Sequence, residues 1–446
     1  MNPVLFRASV IAALGGLLFG FDTAVISGTT GQLREVFGLT PNTLGFTVAS
    51  ALIGTILGAI LAGKPSDTLG RRKTLSWIAA LYFLSAIGSA LAWDWHSFLI
   101  FRLIGGLAVG GSSVVAPMYI AEISPARLRG RLVAITQLNV VSGILAAYLS
   151  NYWIAQLQLG AAEWRLMFGV EALPAALFFV LLFVTPRSPR WLVAQGRRDE
   201  AVDVLYSLGA GSVEKLVQEI EASLALERHS LQEPLFQQAY RQPILLAIAI
   251  AAFNQLSGIN ALMYYAPHIF QMAGAGEDSA LLQAVAVGGT MLVFTLAGLA
   301  MIDHIGRRKL MIIGSIGYIM SLAAVAAAFY TYGTDFDDFG GAVVLASLLL
   351  FIAAHGLGQG AVIWVFLSET FPNRVRARGQ ALGSFTHWFF AALISWTFPI
   401  IADVSGGHTF AFYAVMMVLQ LVWVLRVMPE TKGVPLEEIQ RRLGID

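Results

Sequence analysis

Apolar residues along the chain gather into runs of about 20, the length an α-helix needs to cross the hydrocarbon of a bilayer. Twelve runs can be traced: 7–30, 43–63, 74–93, 97–120, 131–154 and 165–185, then 243–270, 280–302, 310–332, 341–367, 379–402 and 408–428. We number them spans 1 to 12. Between spans 6 and 7 the pattern changes. There Val213, Leu216, Val217, Ile220 and Leu224 recur at helical spacing, with Glu214, Lys215, Glu219 and Glu221 mostly on other faces, which predicts an amphipathic helix lying against the bundle. The expected organisation is a six-helix bundle at 1–185, helical linker segments at 186–242, a second six-helix bundle at 243–428 and a tail at 429–446.

Composition places this pattern in a membrane. At 57% hydrophobic and 12% charged, the chain cannot bury its apolar surface in one aqueous core. A net charge of +1, with no basic arm, argues against nucleic acid as a partner, and the absence of cysteine removes thiol chemistry and disulfides. Span 1 carries an acid and leads into further spans, so it is expected to be retained rather than cleaved as a signal peptide. No nucleophile triad, metal cluster or phosphate loop is evident, so an enzyme is not expected, nor any metal or cofactor.

Basic residues orient the chain, because short cytoplasmic loops carry the excess of Lys and Arg. Clusters follow spans 2 (Lys64, Arg71, Arg72, Lys73), 4 (Arg127, Arg129, Arg131), 8 (Arg307, Arg308, Lys309) and 10 (Arg374, Arg376, Arg378). With the linker, Arg7, Arg426 at the end of span 12 and the tail, 25 of the 28 basic residues fall on one side, all but Arg34, Arg102 and Arg165, so both termini are expected in the cytoplasm. The acidic stretch Thr334–Phe339 on the opposite side reads as a solvated loop.

The two halves repeat. Asp67-x-x-Gly70-Arg71-Arg72-Lys73 after span 2 returns as Asp303-x-x-Gly306-Arg307-Arg308-Lys309 after span 8. Glu122-x-x-Pro125-x-Arg127-x-Arg129 after span 4 returns as Glu369-x-x-Pro372-x-Arg374-x-Arg376 after span 10. Two copies of one six-span unit imply a pseudo-two-fold axis along the membrane normal. Topology alone would explain the basic residues but not the paired acids. Asp67, Arg71, Arg72, Glu122 and Arg129, with Asp303, Arg307, Arg308, Glu369, Arg376 and Glu430, are therefore expected to form a cytoplasmic charge latch.

Asp22 sits in the middle of the first apolar run, among Gly15, Gly16, Gly20 and Gly28. An acid there costs roughly 2.5–3.5 kcal/mol on insertion scales, which marks a functional position by default.

In order, Gly15–Asp22, Gly63-Lys64-Pro65-Ser66-Asp67, Pro117-Met118-Tyr119-Ile120-Ala121-Glu122, Pro186-Arg187-Ser188-Pro189-Arg190-Trp191, Gln255-x-x-x-x-Asn260, Trp364 and Pro429-Glu430-Thr431-Lys432-Gly433 resemble the signatures of the sugar porter family of the major facilitator superfamily. The resemblance extends to bacterial sugar/proton symporters and animal glucose facilitators. It implies an all-α membrane protein with the major facilitator fold, a central cavity opened to each side in turn, and a bacterial inner-membrane location. Its partners would be a monosaccharide, a proton and the bilayer, with a monomer expected. Lys64 and Arg187 depart from the family's usual Arg and Glu, the second reversing a charge.

A sugar needs neutral groups that donate and accept, beside an apolar face. Gln137, Asn254, Gln255, Asn260, Trp364 and Trp388 meet that description within apolar runs, where an unpaired amide is costly; interhelical hydrogen bonding or packing is the other reading of each. The resemblance aligns Gln137, Gln255, Asn260, Trp364 and Trp388 with sugar-site positions and Phe19 with a nearby aromatic. Gly360 joins the expected sugar-binding set, and Tyr264 and Tyr265 form the expected extracellular gate. Asn254, His387 and Met291 replace more usual amides, and Ile144 is apolar as in glucose-type relatives, which favours hexose over pentose.

The resemblance also pairs Arg102 with Asp22 and aligns Glu171 with a second acid of proton symporters. Burial makes an acid hold its proton and a neighbouring guanidinium makes it let go, so movement of Arg102 would switch Asp22 as the proton carrier. Facilitators typically carry Asn at the Asp22 position. Import by proton symport is therefore expected; a proton-independent facilitator is the alternative, and a non-transporting sugar receptor a third reading, disfavoured by the short tail after Met428.

Overall fold

The computed structural model describes residues 2–230, 234–372, 375–434, 438, 439, 441 and 443; for residue 126 and for 226–230 only the backbone is described. Arg374 of the latch motif lies outside the described residues. The described residues form helices joined by short turns. Spans 1 to 5 are Pro3–Val25, Pro41–Leu61, Arg71–Ala90, Trp95–Ile123 and Ala126–Ala155. Spans 8, 9, 11 and 12 are Glu277–Ile305, Arg307–Tyr332, Arg376–Val404 and Gly406–Arg426. Among the described residues, 11 helices are long and apolar enough to cross a membrane. Span 3 is the predicted span that falls outside that set: its 20 residues open on Arg71, Arg72 and Lys73, which lower its mean hydropathy.

Three spans are broken where the sequence interrupts the helical ladder. Span 6 comprises Glu163–Gly169 and Ala172–Leu182. Pro174 has no N–H to return to the Val170 carbonyl, and the break leaves Glu171 at the head of the second piece. Span 7 comprises Arg241–Leu256 and Ile259–Met272, separated at Gly258, whose φ of 85° and close approach to the Tyr413 ring suit a residue without a side chain. Span 10 divides at Gly358 into Asp338–Leu357 and Gln359–Thr370.

Two compact units result. The first contains Met1–Val25, Ser50–Ala147 and Leu159–Gln232; the second contains Ile26–Ala49, Tyr148–Gln158 and Glu233–Asp446. In the first, Leu18, Leu75, Tyr82, Tyr119, Ile120 and Phe178 form the buried core. Spans 2 and 4 cross there so closely that a Cβ at Gly106 would overlap the Ala51 carbonyl. The linker helix Val213–Ser230 belongs to this unit and packs Val213 and Val217 against Leu205, the face its spacing predicts.

In the second unit the core is built on Leu246, Ile250, Met311, Val362, Phe366 and Phe371. The outer ends of spans 2 and 5 belong to it. Trp396 Nε1 donates to Asn42 Oδ1 at 2.9 Å, and the Tyr148 hydroxyl donates to the Met263 carbonyl at 2.8 Å. Asp337 of the acidic stretch caps span 10, accepting from the Gly340 N–H at 2.7 Å. Large apolar side chains face outward around both units, among them Trp77 at 66%, Leu173 at 71% and Val404 at 84% exposure, as a hydrocarbon surround requires.

Candidate functional site

In the first unit the predicted coupling residues converge. Arg102 Nη1 donates to Asp22 Oδ1 at 2.6 Å, and Nη2 reaches the Asp22 carbonyl at 3.4 Å. Arg102 is wholly buried and Asp22 is 3% exposed, so the two charges compensate each other away from water. The guanidinium lies 5.3 Å from the centre of the Phe168 ring. Glu171 is also buried, and its Oε1 has no hydrogen-bond partner among the described residues. It lies within electrostatic reach of both Asp22 and Arg102, as a second acid beside a single cation. Tyr82, wholly buried on span 3 and within reach of both carboxylates, was not expected from sequence. Phe19 and Gln137 are half-buried in the same unit, and Ile144 is buried.

Four amides of the second unit form one line. Gln255 Nε2 donates to Asn254 Oδ1 at 2.9 Å and lies 3.2–3.3 Å from the His387 ring nitrogens. Asn254 Nδ2 donates to Gln359 Oε1 at 3.4 Å, and Gln359 Nε2 donates to Gln420 Oε1. Gln420 Nε2 continues to Ser315 Oγ at 2.8 Å. Asn254 therefore has both ends of its amide engaged with neighbouring side chains. His387 lies 5.1 Å from Trp364 and 4.8 Å from Trp388, measured between ring centres. Trp364 is 37% exposed, whereas Trp388 is buried. Asn260 and Gly360 are half-buried just past the breaks of spans 7 and 10. Gln359 and Gln420 were missed in the sequence; each is a lone amide within an apolar run, the signal that singled out Gln255.

Of the expected gate residues, Tyr265 is wholly buried at a kink in span 7, stacked 5.0 Å from Phe398, and its hydroxyl donates to the Ser395 carbonyl at 2.9 Å. Tyr264 is buried beside it.

Each unit carries its own charge latch. Arg71 pairs with Asp67 at 3.0 Å and Glu122 at 2.9 Å; Arg307 pairs with Asp303 at 3.1 Å and Glu369 at 2.8 Å. Arg72 donates to the Thr185 carbonyl and Arg308 to those of Val424 and Leu425. The basic residues after spans 4 and 10 behave differently from these. Arg129, exposed, donates to the Ala121 carbonyl at 3.1 Å, and Arg376 to the Phe371 carbonyl at 3.2 Å.

The units differ at the heads of spans 3 and 9. Glu430 accepts from the N–H groups of Arg307 and Arg308, each at 3.0 Å, closing the start of span 9 with a carboxylate. The Pro186-Arg187-Ser188 stretch occupies the matching place in the repeat. Arg187 turns to Glu200 at 3.4 Å, while Ser188 Oγ donates to Glu122 Oε2 at 2.5 Å.

The profile of the family described as "Sugar (and other) transporter" matches residues 8–443. A D-xylose-proton symporter of Escherichia coli K12 is 38% identical over 477 residues, covering 98% of this chain and 96% of that protein. A glucose transport protein of Synechocystis is 37% identical, with 97% and 96% covered. An arabinose-proton symporter of Bacillus subtilis is 36% identical, with 97% and 94% covered. Among solved structures, an inward-open form of the xylose transporter from E. coli superposes with a TM-score of 0.86 at 37% identity, covering 98% of this chain and 99% of that one.

Proposed function

Because the chain belongs to this sugar transporter family of the major facilitator fold, we propose that it imports a monosaccharide together with a proton, with hexose preferred over pentose. The observation that carries the reading is the buried Asp22–Arg102 contact with Glu171 beside it. A proton taken up by Asp22 weakens its hold on Arg102 and leaves Glu171 as the acid placed to receive the guanidinium. Relatives named as proton symporters of xylose and arabinose support the coupling. Buried, apolar Ile144, a position that is also apolar in glucose-type relatives, supports the hexose preference.

Within the second unit, binding falls to Gln255, Asn260, Trp364 and His387. Tyr264 and Tyr265 act as the outer gate, and the two charge latches hold the cytoplasmic span ends of their own units.

The test is sugar-elicited proton uptake by proteoliposomes across a panel of hexoses and pentoses. Alkalinisation of the medium by hexoses, abolished by Asp22→Asn while sugar exchange persists, is the expected result. Sugar flux measured without any proton movement would make the protein a facilitator and Asp22 a structural partner of Arg102. Equal responses to hexose and pentose would remove the hexose preference alone.

A further inference from the structure

Four linked amides of the second unit run in a single direction, and the residue that sets that direction, Ser315, lies four links from Gln255. At the far end, Ser315 Oγ donates to the Met311 carbonyl at 2.7 Å. With its proton engaged there, the hydroxyl meets Gln420 only as an acceptor, so Gln420 must present its NH2. Its oxygen then faces Gln359, whose NH2 donates to it and whose oxygen accepts from Asn254. Asn254 in turn offers its oxygen to the NH2 of Gln255. Every member is at most 2% exposed, so each link lies away from water in this structure. A reversal would have to turn every amide together and break the Ser315–Met311 bond.

The near end of the line is Gln255 Oε1. It is buried and has no hydrogen-bond partner among the described residues, although its own NH2 is occupied by Asn254 and His387. His387 cannot set the direction, because a neutral imidazole nitrogen either donates or accepts according to its tautomer. A buried carbonyl oxygen without a donor is costly unless a ligand supplies one.

We infer that Ser315, Gln420 and Gln359 are positioning residues that hold Gln255 as an obligate acceptor, so that the sugar must donate one hydroxyl proton to Gln255 Oε1. This rests on the monosaccharide reading above and adds a polarity that none of the three touches directly.

The experiment is competition for transport in proteoliposomes by monodeoxy and deoxyfluoro derivatives of the transported sugar, for the unaltered protein and for Ser315→Ala and Gln420→Met. Fluorine accepts weakly and cannot donate. In the unaltered protein, one ring position is expected at which deoxy and deoxyfluoro analogues are both weakened about tenfold, the loss of roughly one hydrogen bond. In the variants the line is free to turn, and at that position the fluoro analogue is expected to recover several-fold over the deoxy. A merely structural role would weaken parent and analogues alike and leave their ratio fixed. Unchanged ratios in folded variants would overturn the inference. So would fluoro analogues matching the parent at every position in the unaltered protein, a result that needs no variant to fold. Failure of every parent sugar to be transported or to compete would instead overturn the monosaccharide reading itself.

Discussion

A guanidinium stays charged in any surroundings, whereas a buried carboxyl can take up a proton, and this asymmetry governs the coupling pair. Asp22→Asn leaves a permanent cation at Arg102, and Glu171, with a free carboxylate oxygen, is the group placed to take it over. Glu171→Gln alone is expected to be mild. The double variant, with no acid left for Arg102, should lose about 3–5 kcal/mol, the cost of an uncompensated buried charge, and far more than the two singles added together. Thermal denaturation of all three in detergent measures it; additive effects would separate Glu171 from the pair. A second residue-scale expectation follows from the unequal heads of spans 3 and 9. Arg187→Glu should supply span 3 with the carboxylate that Glu430 gives span 9, raising stability by about 0.3–1 kcal/mol, read as a higher Tm.

At the scale of the element, helix contacts here depend on missing side chains as much as on present ones. Within a bilayer, apolar surface gains little from leaving lipid, so close backbone approach and dispersion contacts do most of the holding. Gly106 against the Ala51 carbonyl is such a contact, and Gly106→Val should force spans 2 and 4 apart at about 1–3 kcal/mol or more, seen as lost folded yield and a lower Tm. The turn before span 4 shows a polar counterpart. Asp94 accepts from the Ser97 N–H at 2.7 Å, and that bond holds its carboxyl below the ordinary value. The cap is therefore complete at neutral pH and is lost only as pH falls through that lowered value. Asp94→Ala should lower Tm near neutrality, and the difference from the unaltered protein should shrink in strong acid.

For the molecule as a whole, the proposed coupling has a thermodynamic ceiling. One charge crossing 100 mV releases about 2.3 kcal/mol, enough to sustain roughly a fifty-fold sugar gradient. Proteoliposomes with an imposed potential of that size are expected to accumulate sugar toward this limit and to fall to equilibrium with a protonophore. Accumulation that ignores the protonophore would assign the driving force to another ion.

The order of apolar runs was enough to give the all-helical membrane class, which follows from the solvent a segment meets, and the matched motifs marked Arg71 and Arg307, each of which pairs with its own Asp and Glu. Asp22, Gln255 and Trp364 stood out for the same reason: a polar or charged group in hydrocarbon signals its own cost. Partnership was decided by the fold. Asp22 meets Arg102 across 80 residues of sequence, and Gln359 and Gln420 join Asn254 from different spans. Periodicity reports which face of a helix is buried but not the rotation and depth at which that face meets another. The direction of the amide line is further still from the sequence, since it follows from one serine hydroxyl bonded to a carbonyl of its own helix and passed along by contacts that only packing creates.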